Sequence, residues 1–242
     1  MNLWGIRNWE AVQPLLVQHL YLSVVPTLIG VVVAIPIGLL LRDRRRARTV
    51  AVVLSSAIFT IPSLALFVVL PLLLGTRVLD PINVVVALTL YTVALSVRTT
   101  FEALDAVPAA TREAATAVGY SSWRRATAVD LPLAIPVLTA GTRVVAVTNV
   151  SMVSVGAVIG IGGLGQLFTT GYQRDFPEQI LTGLVLILLV AIVFDRIIAL
   201  VGRAFTPWIR GASLRASERR LRALAQALPE VGRLREVVSG AR

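Results

Sequence analysis

Residues 20–41 read LYLSVVPTLIGVVVAIPIGLLL and run straight into Arg42-Asp43-Arg44-Arg45-Arg46-Ala47-Arg48. A charge-free run of this length crosses a hydrocarbon core of roughly 30 Å, which takes about 17–25 residues of helix. The arginines that stop it mark an aqueous side. Working outward with the same rule, four more windows qualify: 49–76, 81–97, 131–159 and 179–202. The third of the five is near the lower limit, 131–159 is interrupted only by Arg143, and 179–202 carries Asp195 and Arg196 towards its end. Pro26, Pro36, Pro62, Pro71 and Pro136 lie inside these windows; membrane helices tolerate proline where neighbours re-satisfy the freed backbone groups. The first apolar run is too long for a cleavable signal and follows a mixed stretch with Trp4, Trp9 and Glu10. The expected fold is all-α, a polytopic membrane protein with about five transmembrane helices.

Composition agrees. Of 242 residues, 56% are apolar and 15% charged, with mean hydropathy +0.81; soluble domains run at about 45–50% and about 25%, which argues against a soluble enzyme. The net charge is +10, and every basic residue is Arg. These arginines do not form the folded basic surface of a nucleic-acid binder; they cluster between the uncharged runs, in the loop after span one, the loop after span three and the tail beyond span five. Basic loops stay inside, so the N-terminus is expected outside and the C-terminus inside. A sixth span would put the arginine-rich tail outside, which favours five. Cysteine is absent, removing disulfides, zinc–thiolate sites and thiol nucleophiles. His19, beside the first apolar run, reads as an interfacial packing residue rather than a catalytic one.

Between spans three and four, residues 98–130 are too polar for lipid and patterned as a helical hairpin. Thr111 is expected to cap a helix with Glu113 in its first turn, Ala114, Ala115, Ala117 and Val118 continue it, and Gly119 ends it. Ser121 or Ser122 would cap a second short helix through Trp123, Arg124 and Arg125, and Leu131-Pro132 would turn the chain into span four. On these residues alone, a knob that docks in another protein's groove and a solvated linker are equal readings.

Glu113-Ala114-Ala115, three residues, Gly119, nine residues, Val129, one residue and Leu131-Pro132 resembles the EAA signature of permease subunits of binding-protein-dependent ABC importers. The one departure is Val129, where that family usually has Ile. The resemblance covers span one to span five, excludes the tail after about Arg210, and implies the type I importer permease fold (MetI-like). It implies a permease domain over 1–210, a cytoplasmic tail over 211–242, and a bacterial inner or plasma membrane location. In that family the loop forms coupling helices seated in a cytoplasmic ATPase, so Glu113, Ala114, Ala115, Gly119, Leu131 and Pro132 would form the coupling element. The residues suit the role: small side chains permit close approach, Gly119 permits the turn, and Glu113 can meet a basic residue. The partners implied are that ATPase, a second permease, identical or related, and an external substrate-binding protein. The chain has no G-x-x-x-x-G-K-[ST] loop; it is expected to be no enzyme and to bind no metal or cofactor, with ATP and Mg held by the ATPase.

Span four carries Thr139, Thr142, Arg143 and Asn149, read as pathway lining or as structural hydrogen bonds and ion pairs. An arginine facing lipid costs roughly 2.5–3.5 kcal/mol on insertion scales, so Arg143 needs a partner, with Asp195 and Glu102 as candidates. Thr139, Thr142 and Arg143 are expected to share a face, with Asn149 two turns further along. The run 160–165, GIGGLG, matches G-x-G-x-x-G in letters but follows a membrane helix instead of a strand. Its Gly162, Gly163 and Gly165 resemble the glycine-rich segment after the fourth span of such permeases and read as a flexible outer turn near a gate. Gly156 and Gly160 form G-x-x-x-G, a candidate close-packing face. In the tail, Leu214, Leu221, Leu224, Leu228, Val231 and Val238 with arginines opposite predict an amphipathic helix lying on anionic lipid, broken near Pro229.

The five-span form, the loop, the glycine run and Asp195-Arg196 look most like the branch that imports osmoprotectants such as glycine betaine, carnitine and choline. Methionine importers, or permeases for another amino acid, are the nearest alternative. Aromatic residues make up 6% of the chain without clustering in a span, so an aromatic cage for a quaternary ammonium would belong to the binding protein. A standalone secondary transporter or channel is the competing class; those usually show internal repeats and midplane charges, and here no repeat relates the halves.

Overall fold

The computed structural model describes residues 4–208. The predicted tail helix over 211–242 lies outside the described residues. Those described are helical without strands: α1 (Trp4–Arg7), α2 (Trp9–Leu41), α3 (Arg45–Thr60), α4 (Ser63–Leu74), α5 (Pro81–Asp105), α6 (Ala109–Ala117), α7 (Ser122–Arg125), α8 (Leu131–Val155), α9 (Gln166–Gln173) and α10 (Pro177–Ala204). Four helical stretches are long and apolar enough to cross a membrane, and the bent pair α3–α4 makes a fifth. Residues up to Gly202 form one compact unit, and a second begins at Arg203.

α5 is the central helix. Asp80 caps it, its carboxylate accepting the Ile82 N–H at 3.0 Å with Pro81 at the first helical position. It runs to Asp105, beyond the expected end at 97. Three of its threonines seat in glycine notches: Thr92 against Gly30 and Thr100 against Gly38 of α2, and Thr99 against Gly141 of α8. Between helices in lipid, small residues let backbones approach and dispersion replace the hydrophobic drive. The side of α2 that meets α5 and α8 is accordingly small and polar. Ser23 and Thr27 return their hydroxyls to the carbonyls four residues back, at 2.8 and 2.7 Å. The outer faces expose Val32, Leu72, Leu188 and their like, which suits a chain whose solvent is hydrocarbon.

Span two is not one straight helix. It breaks between α3 and α4 with a bend of 100°. Pro62 pushes Ile61 into extended backbone, φ −66° and ψ 128°, and the Ile61 carbonyl is taken instead by the Tyr91 hydroxyl of α5 at 2.6 Å. Pro14, Pro26 and Pro36 stay inside a continuous α2. At Pro62, unlike these three, a neighbouring hydroxyl donates to the carbonyl at the break.

Candidate functional site

The signature residues fall on the hairpin α6–α7 and the start of α8. Helix α6 begins two residues before Thr111, directly after Pro108. Thr111 is therefore not its cap and Glu113 is not in its first turn; Pro108, already extended at ψ 134°, sets the start instead. Gly119 ends the helix with φ +90°. Its N–H donates to Thr116 O and that of Tyr120 to Ala115 O, at 3.0 and 3.1 Å, the paired bonds of a Schellman motif. Ser121, of the two serines, caps α7, its hydroxyl accepting from the Arg124 N–H at 3.4 Å. Leu131-Pro132 makes no turn: α7 passes through a π-turn (Ala126–Asp130) directly into α8. A proline lacks the donor and crowds the carbonyl one turn back; the wider turn upstream absorbs both effects.

Glu113 and Ala114 face outward, Ala115 faces in, and Gly119 has no atom within 4 Å of where a Cβ would stand. Val118 and Trp123 stand out from the hairpin, 74% and 61% exposed. Leu131 packs into an apolar cluster with Leu104, Val107 and Leu138. The signature thus splits into an outward part and an anchoring part.

The anchor also contains a residue that reading the sequence did not single out. Asp130, the single residue between Val129 and Leu131, is wholly buried and is ion-paired with Arg42 at the end of α2. The Nε atoms of Arg112 and Arg125 lie 3.8 and 3.7 Å from its carboxylate. Arg112 further donates to the Leu104 and Val107 carbonyls at the end of α5, at 2.6 and 2.9 Å, and Arg125 to the Thr116 hydroxyl at 3.0 Å. Its signal was a lone acid among arginines in an apolar approach; Arg42 lies 88 positions away, which no local pattern shows. Beside this hub, Arg48 of α3 pairs with Asp105 and stacks over Phe101, 4.9 Å from the ring centre.

The four polar residues of span four divide between two faces. Arg143 makes a two-point pair with Asp195 of α10, at 2.7 and 2.8 Å, while Glu102 pairs with Arg98. Thr139 lies against Gly202 of the same helix. Asn149 points the other way, 1% exposed, donating to Thr27 of α2 and Thr92 of α5, each at 2.8 Å. Thr142 shares that side, in a small cleft with Val31, Ser96 and Thr100. At 100° per residue, Asn149 lies about 120° around the helix from Arg143, so the expected single face does not exist.

The glycine run is packed rather than loose. Gly163, at φ +49°, lies so close to α2 that a Cβ would stand 2.7 Å from the His19 backbone, and one on Gly165 would meet Ser154 Cα at 2.7 Å. Ile161 and Leu164 are plugged into two different apolar clusters. His19 is wholly buried beneath this segment, packed against Gly163. Gly156 and Gly160 sit in a 3-10 turn and at its left-handed end, so they form no helix face.

Residues 27–211 match the family described as binding-protein-dependent transport system inner membrane component. The chain belongs to that family. Over 193 residues, 78% of this chain and 89% of the other, it is 33% identical to the osmoprotectant import permease protein OsmW of Salmonella typhimurium. It is 30% identical over 190 residues, 78% and 86% of the two chains, to the glycine betaine/carnitine/choline transport system permease protein OpuCB of Bacillus subtilis. Its fold is that of the permease in inward-facing conformations of the MetNI methionine ABC transporter, with TM-score 0.72, 24% identity and coverage of 85% of this chain and all of the other. This inner membrane component is a multi-pass membrane protein and a transport subunit.

Proposed function

We propose that this chain is the permease of an ATP-driven importer for osmoprotectants of the glycine betaine, carnitine and choline class. It works as two permeases, identical or related, with two ATPases and an external binding protein in a bacterial inner membrane. The observation that carries this reading is the hairpin: signature residues displayed outward on a short element anchored to the ends of α2, α5 and α8. Glu113, Val118 and Trp123 are the contacts offered to the ATPase, and Gly119 shapes the turn between them. The ATPase holds ATP and Mg; this chain holds neither, and its part is a gate with two states. With the hairpin inside, the N-terminus is outside and the C-terminus inside, as the arginine distribution requires.

The second permease has a surface to meet. Val137, Ala140, Val144, Val147 and Ser151 are all exposed on α8 at alternating spacings of three and four, the spacing of a seam that packs against another helix. Substrate selection is assigned to the binding protein, because aromatic residues make up only 6% of this chain and three of them, Tyr91, Phe67 and Phe101, are buried in its own core. The likeness to osmoprotectant and glycine betaine/carnitine/choline permeases at 30–33% identity supports the osmoprotectant class over methionine.

The test is mass spectrometry of what co-purifies from gently solubilised native membranes, comparing wild type with Glu113→Lys and Gly119→Asp. An ATPase and a binding protein should accompany wild type, and both variants should lose the ATPase. A protein that comes down alone, or variants with unchanged partners, would favour a self-contained transporter or channel.

A further inference from the structure

We propose that Asp130 is the positioning residue that makes the hairpin and the membrane ends of α2, α5 and α8 move as one body. The proposal rests on the importer reading for its consequence, and on the geometry of this chain for its substance. Apolar packing within the hairpin is slight, since α6 buries only Ala115 and α7 buries no residue, and the apolar contacts are confined to its two ends, at Val107, Ala126 and Leu131. Its link to α5 is the short segment 106–108, and its own turn is exposed at Val118 and Gly119. What remains is charge. Asp130 lies under the hairpin on the π-turn that leads into α8, and that turn keeps Ala126 and Asp130 both on the inner side.

Three elements converge on this one carboxylate. Arg42 brings the end of α2, with a side chain only 7% exposed. Arg112 brings α6 and, through its bonds to the Leu104 and Val107 carbonyls, the end of α5. Arg125 brings α7 and, through Thr116, ties it back to α6. Buried charges interact strongly because little water screens them, so a push on the outward face of α6 reaches α2, α5 and α8 together. Removing the carboxylate leaves three guanidiniums facing each other, and the hairpin is then held by its connections and by the bonds of Arg112 to the Leu104 and Val107 carbonyls, without a tie to α2. Substrate moved per ATP hydrolysed should fall, even where the ATPase still binds.

The experiment uses the full-length chain co-purified with its ATPase and binding protein and reconstituted in vesicles, with radiolabelled glycine betaine as the probe. Asp130→Asn should lower solute moved per ATP at least tenfold, and Asp130→Glu should return it to within twofold of wild type. The chain has no cysteine, so a nitroxide pair on Arg44→Cys and Val118→Cys reports the distance between the end of α2 and the hairpin. That distance distribution should broaden at least twofold in Asp130→Asn and keep its wild-type width in Asp130→Glu. An unchanged ratio and width in Asp130→Asn, or an equal loss in Asp130→Glu, overturns the proposal. If Asp130→Asn does not insert, Arg42→Gln removes the same tie from the other side and is read by the same criteria. If wild type recruits no ATPase and moves no glycine betaine, it is the importer reading that fails. The label distances then decide the attachment alone, and an unbroadened Asp130→Asn overturns it.

Discussion

The hairpin over 106–130 and the glycine run over 156–165 are held by opposite means. The hairpin buries only Val107, Ala115 and Ala126 among its apolar side chains and is fastened chiefly through one carboxylate and three guanidiniums. The glycine run contains no charge and is fastened by backbone packed on backbone, with Gly163 on His19 and Gly165 on Ser154, while Ile161 and Leu164 fill clusters on either side. The same residue type does contrary work in the two places. Gly119 has a positive φ and empty space around it; Gly163 has a positive φ and no space at all. Charge pairs act over several ångströms and can exchange partners, whereas close packing fails on a displacement of a few tenths. The hairpin is thus suited to being pushed without losing its attachment, and the glycine run to holding one arrangement until it is released as a unit.

Substitutions can break this comparison, beginning with the largest effect. Asp130→Ala leaves an uncompensated cluster of arginines and should cost about 3–5 kcal/mol, read as a fall in melting temperature of the solubilised chain; an unchanged melting temperature would mean that packing holds the hairpin after all. Gly163→Ala should cost about 2–4 kcal/mol, combining overpacking against His19 with left-handed strain, while Gly119→Ala, with strain only, should cost about 1 kcal/mol. Equal melting temperatures for these two glycine variants would remove the distinction between a crowded glycine and a free one. Arg98→Ala breaks an exposed pair with Glu102 one helical turn away and should change stability by less than about 0.5 kcal/mol. A larger fall in a thermal melt would show that exposed charges also fasten this end.

Much of the architecture was legible because lipid imposes simple rules. A long apolar run in lipid is held to the helix, and 20–41 and 179–202 lie within α2 and α10. The signature spacing led to the family, and Gly119 and the pair Ser121-Ser122 were readable as helix punctuation because such residues act through their own backbone neighbours, the structure choosing Ser121. Thr111 was misread because two start signals compete within four residues and Pro108 acts first. Pro62 could not be told from Pro26 by sequence, since the difference is the Tyr91 hydroxyl that takes the Ile61 carbonyl.

What the sequence by itself determined is the membrane class, the approximate spans and the signature hairpin, all consequences of local pattern and of a solvent that cannot satisfy backbone groups. Only the tertiary structure decided that Arg143 pairs with Asp195 rather than Glu102, that Asn149 joins α2 and α5, and that Asp130 gathers arginines from three elements. Those outcomes depend on which helix faces which, and a helix presents the same residues whatever its neighbours are. Burial then makes the choice binding, because a charge or amide removed from water must be met by whichever partner the packing has brought within reach.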